Sequence, residues 1–119
     1  MSVAIVDVSG SLVTLQITGK LRQSELAEVQ QSVGEIIRQQ GNVRFLVLAE
    51  HFLGWEQGGN WGDVSFQEQY DQYIEKIAIV GARQWEELAL VFVGKGIRQM
   101  AIEYFQPADL AQACTWLTT

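Results

Sequence analysis

Short apolar runs alternate with helix-like segments along the whole chain, and this alternation restricts the possible folds more than any other feature. Residues 3–8 and 12–18 are strand-like runs separated by Ser9-Gly10-Ser11, which predicts a β-hairpin that is closed by Gly19-Lys20. Later apolar runs predict three further strands, at residues 44–48, 76–81 and 99–105. The run at 44–48 is continuously apolar, which is typical of a strand that is buried on both faces.

The segments between these strands carry the spacing of amphipathic helices. Apolar residues at i, i+3, i+7, i+10 and i+11 predict a first helix with one buried stripe, formed by Leu26, Val29, Val33, Ile36 and Ile37. Ser24 is the expected N-cap of this helix, and Gly41-Asn42 is its expected end. Another helix is predicted over residues 85–93. A closing helix is predicted after Pro107, with a stripe formed by Leu110, Ala113, Cys114 and Leu117.

This order of elements predicts one α/β domain that spans residues 1–119. Strands that alternate with helices imply right-handed crossovers, parallel neighbouring strands and helices against the faces of the sheet. Only the opening hairpin would place two strands antiparallel. We therefore expect a five-stranded, mixed but mostly parallel sheet with about four helices. A chain of 119 residues is long enough for one hydrophobic core and too short for two.

The charge of the chain argues against nucleic acid as a partner. Its formal net charge is −6 and its pI is near 4.6, whereas a nucleic-acid-binding protein needs a basic face that displaces counterions from phosphates. Six acidic residues lie between Glu50 and Glu75, in a stretch without Lys or Arg. This stretch is either a solvated face or a negative patch that selects a basic partner.

Several absences from the sequence set the expected location and chemistry. No apolar run approaches the roughly 18 residues of a membrane span, and no basic leader precedes a long apolar stretch near residue 1. The single cysteine cannot form an internal disulfide. The glycines around residues 54–62 and 94–96 lack the spacing of phosphate-binding loops. We therefore expect a cytoplasmic protein without a cofactor, for which any membrane association would be peripheral.

The stretch from residue 55 to 74 has more apolar surface than one helix face can bury. One face is predicted from residues at i, i+4, i+7 and i+8, which are Phe66, Tyr70, Tyr73 and Ile74. On the same helix, Trp61 and Val64 would lie nearly opposite. Either Trp61 precedes the helix and packs in a loop, or the surplus surface meets a ligand, a partner or the second subunit of a homodimer. Gly58-Gly59 would let the segment move.

The candidate binding residues are drawn from this stretch and the residues just before it. They are Glu50, His51, Phe52, Trp55, Trp61, Val64, Phe66, Tyr70 and Tyr73. The only histidine, His51, follows Glu50 beyond the predicted third strand, where open parallel sheets bind ligands. The alternative function is therefore a small enzyme in which His51 acts as an acid or base with Glu50 or Glu56.

Catalysis requires more than a histidine and a carboxylate. A nucleophile or a set of metal ligands is needed, together with a group that orients the base. The sequence has no second histidine, and its one cysteine, Cys114, is distant in sequence and fits the apolar stripe of the closing helix. We therefore expect a binding protein rather than an enzyme, with no catalytic or metal-ligating residues.

The ordered set of local motifs resembles the STAS domains, and within them the stand-alone SpoIIAA-like proteins. Nearly the whole chain takes part, through Gly19-Lys20, residues 44–48, residues 52–55, Trp61-Gly62-Asp63, residues 77–81, Trp85, residues 103–105 and residues 113–117. This resemblance implies the mixed sheet described above and a domain that binds a protein or a ligand. The fold group also resembles the lipid-carrying Sec14-type domains, which implies an apolar or lipid-like small molecule as one possible ligand.

The phosphorylation switch of the anti-sigma-factor antagonists does not carry over. In those proteins a turn after the third strand presents a serine to a kinase, but this chain reads Ala49-Glu50-His51-Phe52-Leu53-Gly54 at that position. No serine or threonine occurs from residue 45 to residue 64, and the first one afterwards is Ser65. The resemblance therefore implies a binding module that uses an apolar small molecule or a protein partner and lacks the usual phosphorylatable serine.

Overall fold

The computed structural model describes residues 2–119. The strands are β1 (Val3–Ser9), β2 (Leu12–Leu21), β3 (Val43–Trp55), β4 (Ile74–Gly81) and β5 (Ala101–Phe105). The α-helices are α1 (Gln23–Gln40), α2 (Ser65–Tyr70), α3 (Glu86–Val93) and α4 (Leu110–Leu117). Short 3-10 helices at Asp71–Tyr73, Arg83–Trp85 and Pro107–Asp109 precede β4, α3 and α4.

The five strands of residues 2–119 form one sheet in chain order, with β1 antiparallel to β2 and all later neighbours parallel. This confirms the predicted five-stranded mixed sheet with four α-helices. Successive parallel strands step the same way across the sheet, so right-handed crossovers place α1, α2 and α3 on one face. The last helix, α4, packs on the opposite face, where Ala113 and Leu117 are buried and Cys114 is half-buried.

The third strand is longer than predicted, because the chain stays extended through residues 49–55 instead of forming a loop. Its pairing with β4 stops at Ala49–Gly81, whereas its pairing with β2 continues through Thr18–His51 to Leu21–Trp55. For the same reason Gly19-Lys20 does not close the hairpin but lies within β2. Gly19 has a positive φ of 67°, where the register of the two strands shifts. The β2–β3 pair therefore extends beyond β4.

The predicted N-cap of α1 is wrong. The helix begins at Gln23, and Ser24 lies inside its first turn. The backbone N–H of Gln23 instead donates to Glu56 Oε1 at 2.8 Å, and the N–H of Arg22 donates to Ser2 Oγ at 3.1 Å. Groups from distant parts of the chain therefore satisfy these amides, which a local sequence pattern cannot reveal.

The long helix expected around residues 61–74 is also shorter than predicted. Trp61 and Val64 precede α2, because the Asp63 side chain accepts a hydrogen bond from the backbone N–H of Ser65 at 3.0 Å and starts the helix there. At the other end, Ile74 pairs with Val43 in the sheet, so the chain must already be extended. Tyr73 lies in the 3-10 helix and is exposed. No single helix with two apolar faces forms.

Close packing fixes α2 against α1. A Cβ atom on Gly34 would lie 2.9 Å from the Tyr70 Cζ atom, so only glycine lets the Tyr70 ring rest on α1 at this position. The Tyr70 hydroxyl accepts a hydrogen bond from the Arg38 guanidinium. Tyr70 is therefore a packing residue between the two helices.

The third helix is apolar on nearly all sides, yet none of its residues is buried. Leu90 and Val93 pack against the main core, while Leu88, Val91 and Phe92 are exposed. An apolar helix of this kind is normally found inside a protein. None of the helices within residues 2–119 combines the length and hydropathy that crossing a membrane would require.

Candidate ligand cavity

A cavity of about 400 Å³ lies between the sheet and the helices that cover its first face. Strands β2, β3 and β4 form its floor. Helices α1 and α3 and the segment that leads into α2 form its sides. Protein interiors are normally packed with few voids larger than a water molecule, so a space of this size is a specific feature of the fold.

The floor of the cavity is entirely aliphatic or aromatic. Leu15, Val47 and Ile79 are register neighbours across β2, β3 and β4, and Phe45 and Ile77 lie two residues earlier on the same face. This follows from the strand period of two, which directs alternate side chains to the same side of a sheet. The floor offers no hydrogen bond to a ligand and can only contact apolar groups.

One end of the cavity is closed by a cluster of aromatic rings. Phe92 of α3 lies 5.1 Å from Trp55 at the end of β3 and 5.5 Å from Trp61, measured between ring centroids. Phe52 and Trp55 meet edge to face at 4.8 Å. The Trp61 indole also donates a hydrogen bond to the Glu56 carbonyl oxygen at 3.3 Å. Phe92 therefore connects α3 with the segment before α2. The exposed fraction of Phe92 is 42%.

Three buried side-chain atoms have no hydrogen-bond partner within residues 2–119: Trp55 Nε1, Trp85 Nε1 and Gln67 Oε1. Trp55 and Trp85 meet edge to face at 6.1 Å, a geometry in which an indole N–H can donate weakly to a neighbouring ring. The Gln67 oxygen belongs to α2, and Gln67 is one of the residues that line the cavity.

Among residues 2–119, the cavity wall contains two charged side chains, Asp63 and Arg98. Arg98 forms a two-bond ion pair with Asp71, with distances of 2.9 Å and 2.5 Å, and donates to the Val93 carbonyl oxygen at 3.2 Å. Asp63 accepts hydrogen bonds from the hydroxyl and the backbone N–H of Ser65, which lower the pKa of its carboxyl below the usual value. Both charges are thus engaged within the protein.

The structure brings five of the nine sequence-predicted residues to this wall, namely Phe52, Trp55, Trp61, Val64 and Phe66. The other four lie elsewhere. Glu50 and His51 are exposed on β3 instead of at the end of a short strand. Tyr70 is buried between α1 and α2, and Tyr73 is exposed.

His51 and Glu56, one pair of the alternative enzyme site, are not brought together. The two residues are five positions apart along extended chain, which spans roughly 16 Å. Glu56 is engaged by the Gln23 amide and lies 3.7 Å from the Arg22 Nε atom. In the described part of the chain, no group of three or more His, Cys, Asp or Glu side chains could hold a metal ion.

Sequence reasoning missed the contribution of α1 and α3 to the cavity and, in α2, that of Gln67. Leu26 and Val29 of α1, Ala89 of α3, and Gln67 line it, together with Arg98 beyond α3. The apolar stripe of α1 predicts an amphipathic helix but not a cavity beside it. The available signal was in α3, whose sequence Glu86–Val93 is too apolar for a helix that lies on a surface.

Comparison with known proteins gives one family match and a similar solved structure. The model of a family described as SpoIIAA-like matches residues 12–118. The crystal structure of an uncharacterized protein from the DUF3478 family of Shewanella loihica PV-4, described as having a SpoIIAA-like fold, is similar with a TM-score of 0.76 and 17% identity. The similarity covers 98% of this chain and 94% of the other. No curated protein matches the sequence.

Proposed function

The chain belongs to the SpoIIAA-like family, and on that premise we propose that it is a binding protein that holds an apolar or lipid-like small molecule in the cavity between the sheet and helices α1 and α3. The observation that carries this proposal is the cavity itself. Its volume of about 400 Å³ lies within the range of small-molecule sites, roughly 300–1,000 Å³, and its floor is apolar. A ligand there would restore the contacts that the lining side chains lack.

The proposed site differs from the sequence-based one in its extent. Phe52, Trp55 and Trp61 remain part of it, whereas Glu50 and His51 are outside the wall. The aromatic cluster around Phe92 forms one end of the cavity, where α3 meets the segment before α2. Gly58 and Gly59 in that segment have positive φ angles and form the bend that positions Trp61.

The outer surface of α3 favours a second candidate function, which is docking to a protein partner. Leu88 and Val91 of this helix are 55% and 76% exposed, and Ile97, in the turn beyond it, is 89% exposed. An exposed apolar helix surface often marks an interaction site. A protein partner suits this acidic chain better than a membrane, since a net charge of −6 opposes anionic headgroups.

The ligand proposal is tested by filling the cavity. Ala89 lines the cavity on α3, whereas its neighbour Leu88 is exposed on the same helix. Ala89→Phe should abolish binding of the uncharged fluorophore N-phenyl-1-naphthylamine, and the matched variant Leu88→Phe should bind it as the wild type does. Failure of the wild type to bind this probe or to retain any apolar small molecule on native purification would contradict the proposal.

A further variant at Leu88 separates the second candidate from the first. Loss of a co-purified protein in Leu88→Asp, with fluorophore binding retained, would support a partner that docks on α3. Sedimentation of the wild type with neutral or anionic vesicles would instead favour a membrane surface as the occupant of this face.

A further inference from the structure

We propose that the outer face of α3 is a two-fold interface that pairs this chain with a second copy of itself, with the two α3 helices antiparallel. This inference rests on the second candidate function, the docking of a protein on α3, and names the partner. The side chains that the helix exposes and the charges at its two ends carry it.

The exposed side chains of α3 form one continuous face. They are Glu87, Leu88, Val91 and Phe92, whereas the other four residues of the helix are half-buried. At 3.6 residues per turn, the exposed four lie within an arc of about 140°. Three of them are apolar, on the side where a surface helix normally carries polar residues. No element within residues 2–119 covers this face, because Leu88 and Val91 are more than half exposed.

The two ends of this face carry opposite charges at equal distances from its centre. Glu87 precedes Val91 by four residues and Lys95 follows it by four, which is about 6 Å along the axis on each side. The backbone N–H of Lys95 donates to the Leu90 carbonyl oxygen at 3.1 Å, which keeps Lys95 at the end of the helix. Glu87 forms no salt bridge within residues 2–119, and the pair of Lys95 with Glu103 is exposed. Exposed pairs contribute little, so both charges can meet a partner.

Such an arrangement is complementary to itself. In a two-fold dimer the contact of one residue with another occurs twice, so an axis near Val91 would place Glu87 of each copy opposite Lys95 of the other. Leu88 would then lie near Gly94 of the second copy, where no side chain obstructs it. A membrane surface carries one sign of charge, and an unrelated protein requires no symmetry about Val91. The pattern of charges therefore favours a second copy as the partner.

The second copy would also cover part of the cavity wall. Phe92 closes one end of the cavity with Trp55 and Trp61, and its exposed fraction lies on the outer side of the domain. An interface centred on one helix of eight residues is small, and complexes that bury less than roughly 1,200 Å² are typically weak. We therefore expect a reversible dimer with a dissociation constant in the micromolar range.

The first test is sedimentation velocity of the wild type, from low micromolar to near-millimolar concentration, where a monomer–dimer equilibrium is expected. Val91→Asp would place two carboxylates face to face near the axis and should weaken the dimer at least about tenfold. The control is Leu110→Asp, which changes an apolar residue that is 41% exposed at the start of α4, on the opposite face of the sheet. This variant should dimerise as the wild type does.

A pair of charge variants tests the symmetry itself. Glu87→Lys and Lys95→Glu each replace both ion pairs by two like-charge contacts, so each variant alone should self-associate about tenfold more weakly. In an equimolar mixture of the two variants, both contacts of the mixed dimer again join opposite charges. The mixture should therefore dimerise about as tightly as the wild type, and this recovery would show that both variants are folded.

The outcomes distinguish this inference from the ligand function. A wild type that stays monomeric would overturn the inference, and the ligand cavity stands if the same protein binds N-phenyl-1-naphthylamine. A dimer that Val91→Asp does not weaken, or a mixture of charge variants that does not recover, would overturn the α3 interface. If the chain is monomeric and Val91→Asp abolishes its binding to vesicles or to another protein, that occupant replaces the second copy.

Discussion

The Glu56 carboxylate accepts a hydrogen bond from the backbone N–H of Gln23 at 2.8 Å, so the residue that follows β3 caps the first turn of α1. The same carboxylate lies 3.7 Å from Arg22 Nε. It also lies 3.1 Å from the position that a Cβ atom on Gly59 would occupy. One side chain thus joins the end of β3, the start of α1 and the bend that leads to the cavity.

Glu56→Ala should lower the free energy of unfolding by about 1 kcal/mol, because it removes the cap of α1. Glu56→Gln keeps an acceptor oxygen, so it should lower the free energy of unfolding by less than Glu56→Ala does. Urea unfolding measures both, with Gln57→Ala, at an exposed neighbouring position, as the control. An Ala variant as stable as the wild type would show that the cap contributes nothing.

Gly81→Ala should destabilise the domain by about 1–3 kcal/mol through overpacking. The new Cβ atom would lie 2.5 Å from the Tyr104 hydroxyl, which donates to the Ala82 carbonyl oxygen at 2.6 Å, and 3.2 Å from the Ala49 carbonyl oxygen. In a Tyr104→Phe background the nearest clash is gone, so the same substitution should cost about 1 kcal/mol less. Additive effects in this double-mutant cycle would contradict the contact.

Acid should destabilise the protein partly through Glu25. Hydrogen bonds from the Ser2 hydroxyl and backbone N–H to Glu25 lower the pKa of its carboxyl below the usual value. A group whose pKa is lower in the folded state stabilises the fold above the unfolded pKa of about 4.3, and this stabilisation is lost as the pH falls through the folded value. Unfolding measured across that window should depend less steeply on pH in Glu25→Gln and in Ser2→Ala than in the wild type.

Backbone amides of residues 61–73 should exchange hydrogen much faster than those of residues 77–80 in β4. The first stretch contains a bend, a short helix and a 3-10 turn, whereas β4 is buried and paired on both sides. Addition of decan-1-ol should slow exchange in the first stretch and change tryptophan fluorescence, because Trp55 and Trp61 line the cavity. Equal, strong protection of both stretches without any response to amphiphiles would show that residues 61–73 belong to the stable core and do not cover a binding site.

A serine kinase of the anti-sigma type should not phosphorylate residues 45–64, which contain no serine or threonine. The first hydroxyl beyond them, Ser65, donates to Asp63 Oδ1 at 2.5 Å, so a phosphate there would meet a carboxylate of the same charge. Intact-mass measurement after incubation with such kinases should show no added phosphate. Stoichiometric phosphate on Ser65 would restore the partner-switching function.

The sheet could be predicted from the sequence because its strands coincide with local apolar runs. Residues 76–81 predicted β4 to within two residues, and its members from Ile77 to Gly81 are indeed buried. The far end of β3 could not be predicted in this way. Glu50 and His51 have the polarity of a loop, and they remain extended only because Thr18 of β2 pairs with His51. That pairing joins residues far apart in the chain.

The cavity was predictable only in part, for a similar reason. The excess of aromatic residues around Trp55 and Trp61 indicated surface that needs a partner, and both residues line the wall. The pattern of α1 shows which side faces the sheet but not how far from the sheet the helix stands, and this distance decides whether Leu26 and Val29 meet core or empty space. Nor does any pattern show that Arg98 is already paired with Asp71.

The order of the strands across the sheet is also the order in which a ribosome makes them. The hairpin of β1 and β2 needs only local contacts, and β3, β4 and β5 then each add to the free edge left by the strand before. Domains generally fold as units, but here the strands also leave the ribosome in the order in which they pair. The second face is the exception. Leu46, Ala78 and Val80 stay uncovered until α4 has been synthesised, so we expect this face to be the last apolar surface that the nascent chain buries.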